Sequence, residues 1–324
     1  MALPAYATPL ERIWHYTYKA ICVAVFIFLI APILMVIPLS FNVEPYFSFT
    51  QKMLALDPTG YSLRWYDLLL TFGLNAPDDA VRDSSWWNQV WREATWVRAA
   101  KSSLWVGLWA TILATVLGTI AALGLSRPEM PYRRTIMAIL ISPMIVPVII
   151  IATGIFFAYS AACIPTESAL GSIVAPFLSH KGCLTNSYLG IILAHAMLGI
   201  PFVIITVTAT LIGFDQSLIR ASASLGASPP RTFFKVIMPL ILPGIISGAL
   251  FAFVTSFDEV VAVLYVASND QQTIPRQMWN GIREAISPAI LSVATILVIM
   301  SICLLTTVEL LRRRSERLRG IKPT

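Results

Sequence analysis

The chain has 324 residues, of which 57% are hydrophobic and only 12% charged, a composition far from that of a soluble globular protein. Its formal net charge is +6, and no stretch outside its apolar runs is large enough for a soluble domain of ordinary size. A soluble enzyme and a free-standing soluble binding module are thereby excluded, and a membrane protein is what remains.

About 20 apolar residues are needed to cross roughly 30 Å of hydrocarbon as a helix. Runs of that length cover approximately 20–41, 103–125, 135–159, 188–212, 238–267 and 288–311, which predicts an all-α membrane protein with six transmembrane helices. Prolines within them, such as Pro143, Pro147 and Pro243, are tolerated where neighbouring helices or water satisfy the freed carbonyls.

Residues 1–19 carry no cleavable-signal pattern, because Ala20 to Phe41 is too long for a signal core and lacks a small-residue cleavage site. Ala20 to Phe41 is therefore taken as the first span. Lysines and arginines gather in alternate connections: Arg12 and Lys19, then Arg127, Arg133 and Arg134, then Arg220, Arg231 and Lys235, then Arg312, Arg313, Arg314, Arg317, Arg319 and Lys322. Positive residues stay inside, so both termini and the 213–239 loop are expected in the cytoplasm, with 42–102 outside. The basic tail 312–324 fits a membrane anchor and topology signal better than a nucleic-acid contact.

The outer connection contains Trp86, Trp87, Trp91 and Trp96 interleaved with charges, the pattern of a helix lying at the headgroup level; a partner-docking surface is the alternative. Cys163 and Cys183 fall in the next outer loop, where they form either a disulfide, if the compartment is oxidising, or two separate thiols. Cys22 and Cys303 sit inside spans, as small apolar packing residues. The histidines His15, His180 and His195 are isolated, Asp57, Asp78 and Asp79 lack calcium-loop spacing, and no Gly-rich phosphate loop ends in Gly-Lys-Ser/Thr. No catalytic residue, metal site or ATP site is expected.

The stretch 213–239 is built as two short helices. Asp215 is a good N-cap, with Phe214 and Ile219 placed as a hydrophobic staple, and the first helix is expected to run to Leu225. Gly226 ends it in a left-handed conformation, and Ser228 with Pro229 opens the second. Leu218, Ala221, Ser222 and Leu225 share one face of the first helix, and the run Ala221, Ser222, Ala223, Ser224 is small enough for another surface to approach closely. In the fifth span, Asp258 and Glu259 are charges near the outer leaflet. Adjacent helical residues point about 100° apart, so the two carboxylates do not share a direction. They mark either a substrate path or gate, or a pair held by Arg276 or Arg283.

Several of these segments carry a resemblance. Small residues at Ala221, Ser222 and Ala223, then Gly226, nine residues, and Val236-Ile237-Met238-Pro239 resemble the EAA signature of ABC transporter permeases, departing from it at Arg220, where that signature has Glu. YSLRWYDLLL at Tyr61–Leu70, SFDEVV and TIPRQMWNGI resemble the spermidine/putrescine permease group, in particular the second of its two permease subunits. The resemblance implies a type I importer permease fold with a cytoplasmic coupling-helix loop. It further implies ATPase coupling by Arg220, Ala221, Ser222, Ala223, Leu225, Gly226 and Pro239. Implied partners are ABC ATPase subunits that use ATP and magnesium, a second permease subunit or a second copy, an extracytoplasmic substrate-binding protein and membrane lipid, with no nucleic acid and no cofactor on this chain. The competing classes are an ion-gradient-driven secondary transporter or channel, for which no internal repeat is found, and an intramembrane enzyme, for which no polar cluster is found.

Overall fold

Why the first helix starts well ahead of its apolar run is local chemistry: Thr8 and Glu11 form a reciprocal capping box and Pro9 occupies the first turn, so α1 spans Pro9–Leu39. The computed structural model describes residues 8–74, 81–127, 129–163, 182–212, 215, 217–284 and 287–318. Phe214, His180, Asp78, Asp79, Arg319 and Lys322, each named by the sequence reading, lie outside them. Among the described residues the regular structure is helical apart from two isolated bridges, Asn42 with Tyr61 and Cys163 with Cys183.

The chain divides into two units, Met1–Val90 with Gly281–Thr324, and Trp91–Asn280. In the first, α1 buries none of its residues, as expected of a helix whose apolar side chains meet lipid. After α1, the buried Asn42 organises the connection. Its amide donates to the carbonyls of Tyr46 and Ser48 at 3.1 and 3.0 Å, and its own carbonyl accepts the indole N–H of Trp65 at 2.7 Å. Short helices follow: α2 (Gln51–Leu54), α3 (Arg64–Thr71) and α4 (Ser84–Glu93). The last helix of the chain, Ala289–Leu318, packs against α1 and α3, with the Ser292 hydroxyl donating to the Ser40 carbonyl at 3.4 Å.

The tryptophan run differs from the single interfacial helix expected. The helix breaks at Ala94, which is extended (φ −55°, ψ 120°), and α5 begins at Thr95. Trp86 and Trp96 are buried, at 5% and 8% exposure, while Trp87 and Trp91 are 52% and 62% exposed. Half of the indoles therefore anchor the fold and only the other half face outward.

The second unit holds α5 (Thr95–Leu125), α6 (Arg133–Ile145), α7 (Val148–Ala161) and α8 (Tyr188–Ile212). A short helix α9 (Ser217–Ser224) leads to α10 (Pro229–Thr232), then α11 (Met238–Asp258), α12 (Val261–Val266) and α13 (Ile274–Glu284), within which the unit ends at Asn280. The chain's final helix, given above, is α14. Helices α5, α8 and α11 pack on one another through small residues: Ala110, Ala114, Ala196, Val203, Val207 and Ala252 form one cluster. Close backbone approach explains the choice. A Cβ at Gly248 would lie 2.8 Å from the Cα of Val203, and helices in lipid gain by such contact.

Among the described residues, four helices are long and apolar enough to cross a membrane: α1, α5, α8 and the continuous stretch Pro229–Asp258. The third expected span is broken. Val146 precedes Pro147, is driven into an extended conformation (ψ 136°), and turns α7 from α6 by 103°. Taken as one bent span, α6 and α7 bring the number to five, and α14, whose apolar part Ala289–Cys303 is shorter, is compatible with a sixth. The fifth expected span, 238–267, is also interrupted, at Glu259.

Candidate functional site

Helix α9 is capped at both ends by the residues expected. The Asp215 carboxylate accepts the Ser217 backbone N–H at 2.8 Å and the Ser217 hydroxyl at 2.7 Å. These bonds, with a smaller contribution from Arg220, hold the Asp215 carboxyl below the usual carboxylate range. At the far end the N–H of Ala227 reaches the Ser222 carbonyl (3.1 Å) and that of Gly226 reaches the Ala223 carbonyl (2.9 Å), a Schellman motif. Gly226 sits at φ +74°, and among the described residues nothing beyond its own chain neighbours lies within 4 Å of the position a Cβ would take. The helix stops at Ser224, and Leu225 belongs to the turn.

The second helix departs from the expected independent piece. Ser228 caps it through its extended backbone, without a side-chain bond, and α10 continues through a π-helical turn, Phe233–Ile237, directly into α11. The widened turn, in which the Met238 N–H reaches the Phe233 carbonyl, precedes Pro239, which has no N–H to give to a regular helix. α10 and α11 are thus one helical stretch, Pro229–Asp258, with no loop between them.

The two short helices are bolted together by Ser222 and Thr232, both buried, whose hydroxyls lie 2.7 Å apart. Ser222 is thus turned into the hairpin and is not part of an outward docking face. Leu218, Ala221 and Leu225, at spacings of three and four, are exposed, Leu225 at 87%. Arg220, Ala223 and Pro239 are exposed as well. Thr232 was not singled out by sequence. The signal was its distance from Ser222 across a turn whose fold-back only Gly226 and Pro229 together dictate.

Asp258 and Glu259 do not sit mid-helix. Asp258 is the last residue of α11 and is exposed, whereas Glu259 is extended (φ −75°, ψ 122°) and its carboxylate accepts the Ala262 N–H at 2.9 Å, capping α12. Among the described residues neither carboxylate is in an ion pair, so the pairing with Arg276 or Arg283 is not formed. Arg276 is buried and gives its guanidinium to the carbonyls of Ala267 and Ser268, at 3.1 and 2.7 Å. Just below the break, buried His195 of α8 is joined to Ser256 of α11 through Nδ1 at 2.8 Å, which fixes the end of α11 against α8. Cys163 and Cys183, between α7 and α8, are bonded as a disulfide with Cα atoms 4.0 Å apart.

A family model described as the inner membrane component of binding-protein-dependent transport systems matches residues 114–318. The chain is 25% identical over 298 residues to the spermidine/putrescine transport system permease protein PotC of Haemophilus influenzae, covering 92% of this chain and 97% of that protein. It is 28% identical over 273 residues to the putrescine transport system permease protein PotI of Escherichia coli K12, covering 84% and 82%. Among solved structures, a bacterial ABC transporter involved in the import of the acidic polysaccharide alginate aligns with TM-score 0.60 at 14% identity, over 96% of this chain and 99% of that one, a likeness of fold.

Proposed function

The chain belongs to the family of inner membrane components of binding-protein-dependent transport systems, and from that membership we propose that it is a permease subunit of an ATP-driven importer for a polyamine-like solute. The observation that carries the coupling role is the Ser222–Thr232 bolt between α9 and an α10 that runs unbroken into α11. A push on the exposed Leu218, Ala221, Ala223 and Leu225 surface then moves a span as a rigid body. The pusher is a cytoplasmic ATPase subunit, which binds the ATP and magnesium itself. A second permease subunit or a second copy completes the path, and an extracytoplasmic binding protein delivers the solute.

In this reading the termini and the hairpin face the cytoplasm, and the Cys163–Cys183 disulfide lies on the opposite, oxidising side, where such bonds persist. The polyamine assignment rests on the named relatives and on the exposed Asp258 carboxylate at the break between α11 and α12, an anionic contact for a cationic solute. Glu259, engaged with the Ala262 N–H, holds that break in shape. Alternating access follows if closure of the ATPase pair drives α11 through the hairpin.

The test is uptake of labelled putrescine by vesicles containing the chain with its co-expressed partners, with ATP inside or an imposed ion gradient alone. ATP-dependent, binding-protein-dependent accumulation, with an apparent KM raised about tenfold by Asp258→Asn, is the expected result. Accumulation driven by the gradient without ATP would replace this reading with a secondary transporter.

A further inference from the structure

A cleft of about 620 Å³ opens at the start of α5, on the side opposite the coupling hairpin along that helix. Among the described residues, three cations line it, Arg92, Arg98 and Lys101, against one carboxylate, Asp270. Arg98 and Asp270 approach to 3.6 Å, but both are solvent-exposed, so the pair is weak and leaves the guanidinium able to take a second anion. Lys101 donates to the Trp91 carbonyl and stands 4.7 Å over the Trp91 ring, which fixes its ammonium at the rim. The hydroxyls of Ser102 and Tyr188, 3.0 Å apart, close the inner wall.

The stripe below the cations is apolar. Arg98, Lys101, Trp105 and Leu108 follow one another at spacings of three, four and three on a single face of α5, and Trp105 and Leu108 are half exposed. From Arg98 to Leu108 the rise along the helix is about 15 Å. Positive charge at one level, an indole beneath it and aliphatic surface deeper still match a phospholipid from phosphate to acyl chain. Indoles settle at the headgroup level and basic side chains there attract anionic lipid. An acidic segment of a soluble protein would be served by the cations, but it would leave Trp105 and Leu108 unused.

We propose that this cleft is a binding site for one anionic phospholipid, its phosphate held by Arg98 and Lys101 with Arg92 at the rim, and its acyl chain lying along Trp105 and Leu108. The site is independent of the transported solute; the outward orientation proposed above decides only which leaflet supplies the lipid.

The test uses the full chain, with its co-purified partners, in vesicles of phosphatidylethanolamine containing equal small fractions of brominated phosphatidylglycerol or brominated phosphatidylcholine, and reads quenching of tryptophan fluorescence. Phosphatidylglycerol should compete for the protein surface more strongly, by about fivefold per engaged cation. Arg98→Gln with Lys101→Gln should bring the ratio of the two lipids close to one, while Asp270→Asn should raise it, a gain that a misfolded variant would not produce. Equal quenching by both lipids overturns the proposal, as does an unchanged preference in a monodisperse double variant. If that double variant keeps its lipid preference and loses only salt-sensitive association with a soluble partner, the cleft is a protein dock and the lipid assignment falls.

Discussion

The hydroxyls of Ser222 and Thr232 meet at 2.7 Å in the buried crease between α9 and α10, and each is the polar partner the other has there. Removing one hydroxyl leaves its partner buried and unsatisfied, at a cost of roughly 1–3 kcal/mol, whereas removing both is close to neutral. Ser222→Ala and Thr232→Val should therefore each speed amide hydrogen exchange across Gly226 to Thr232, and the double variant should exchange no faster than either single one. Exchange rates that simply add would show that the two hydroxyls do not act as a pair.

The Cys163–Cys183 bond closes a 20-residue segment, and loop-closure entropy gives it a stabilisation of roughly 3 kcal/mol. In membranes denatured without reductant, a maleimide should label neither cysteine, and after reduction it should label both. Labelling of both thiols before reduction would remove the bond from the account of this loop.

Packing of α8 on α11 predicts a contrast between two glycines. A Cβ at Gly248 meets the Val203 Cα at 2.8 Å, with backbone that cannot step aside, so Gly248→Ala should cost about 1–3 kcal/mol and lower Tm by several degrees in detergent. Gly154, in the middle of α7, has nothing within 4 Å of its Cβ position, so Gly154→Ala should be neutral or stabilising by about 0.5–1 kcal/mol. Equal Tm changes at the two sites would contradict the packing.

Much of this was legible because it is local. Asp215, Gly226 and Pro229 write their caps and turn into a few residues, and the hairpin forms where they place it. What could not be read depends on partners distant in sequence or on how a proline is resolved. Val146 and Pro147 were compatible with a kinked single span or with the 103° break that occurs. The end of α11 at Asp258 follows from Glu259 preferring to cap α12, a choice that hydropathy does not register because Val260 to Val266 remains apolar. Ser222 looked like one more small residue on an open face until Thr232 arrived from across the turn.

The last prediction concerns the coupling element and separates backbone strain from surface contact. Gly226 holds φ +74°, where a β-branched residue costs on the order of 1–2 kcal/mol, while asparagine accepts that conformation. Among the described residues, nothing beyond its own chain neighbours lies within 4 Å of its Cβ position, so a larger side chain there is strained by its backbone and not by a contact within them. Gly226→Asn should retain most of the activity and Gly226→Val should lose it. In Gly226→Val, insertion into the membrane should be unchanged, since no span is altered, and Tm should fall by no more than the few degrees that this strain implies, yet solute uptake and the stimulation of ATP hydrolysis by loaded binding protein should fall at least tenfold. Ala223→Glu, which places a charge on the exposed face of α9, should act the same way without touching the backbone, whereas Arg231→Lys, on the exposed side of α10, should be mild. Uptake and ATPase activity measured in the same reconstituted vesicles decide the matter. Normal uptake with full stimulated hydrolysis in both Gly226→Val and Ala223→Glu would mean that the hairpin does not couple ATP to transport.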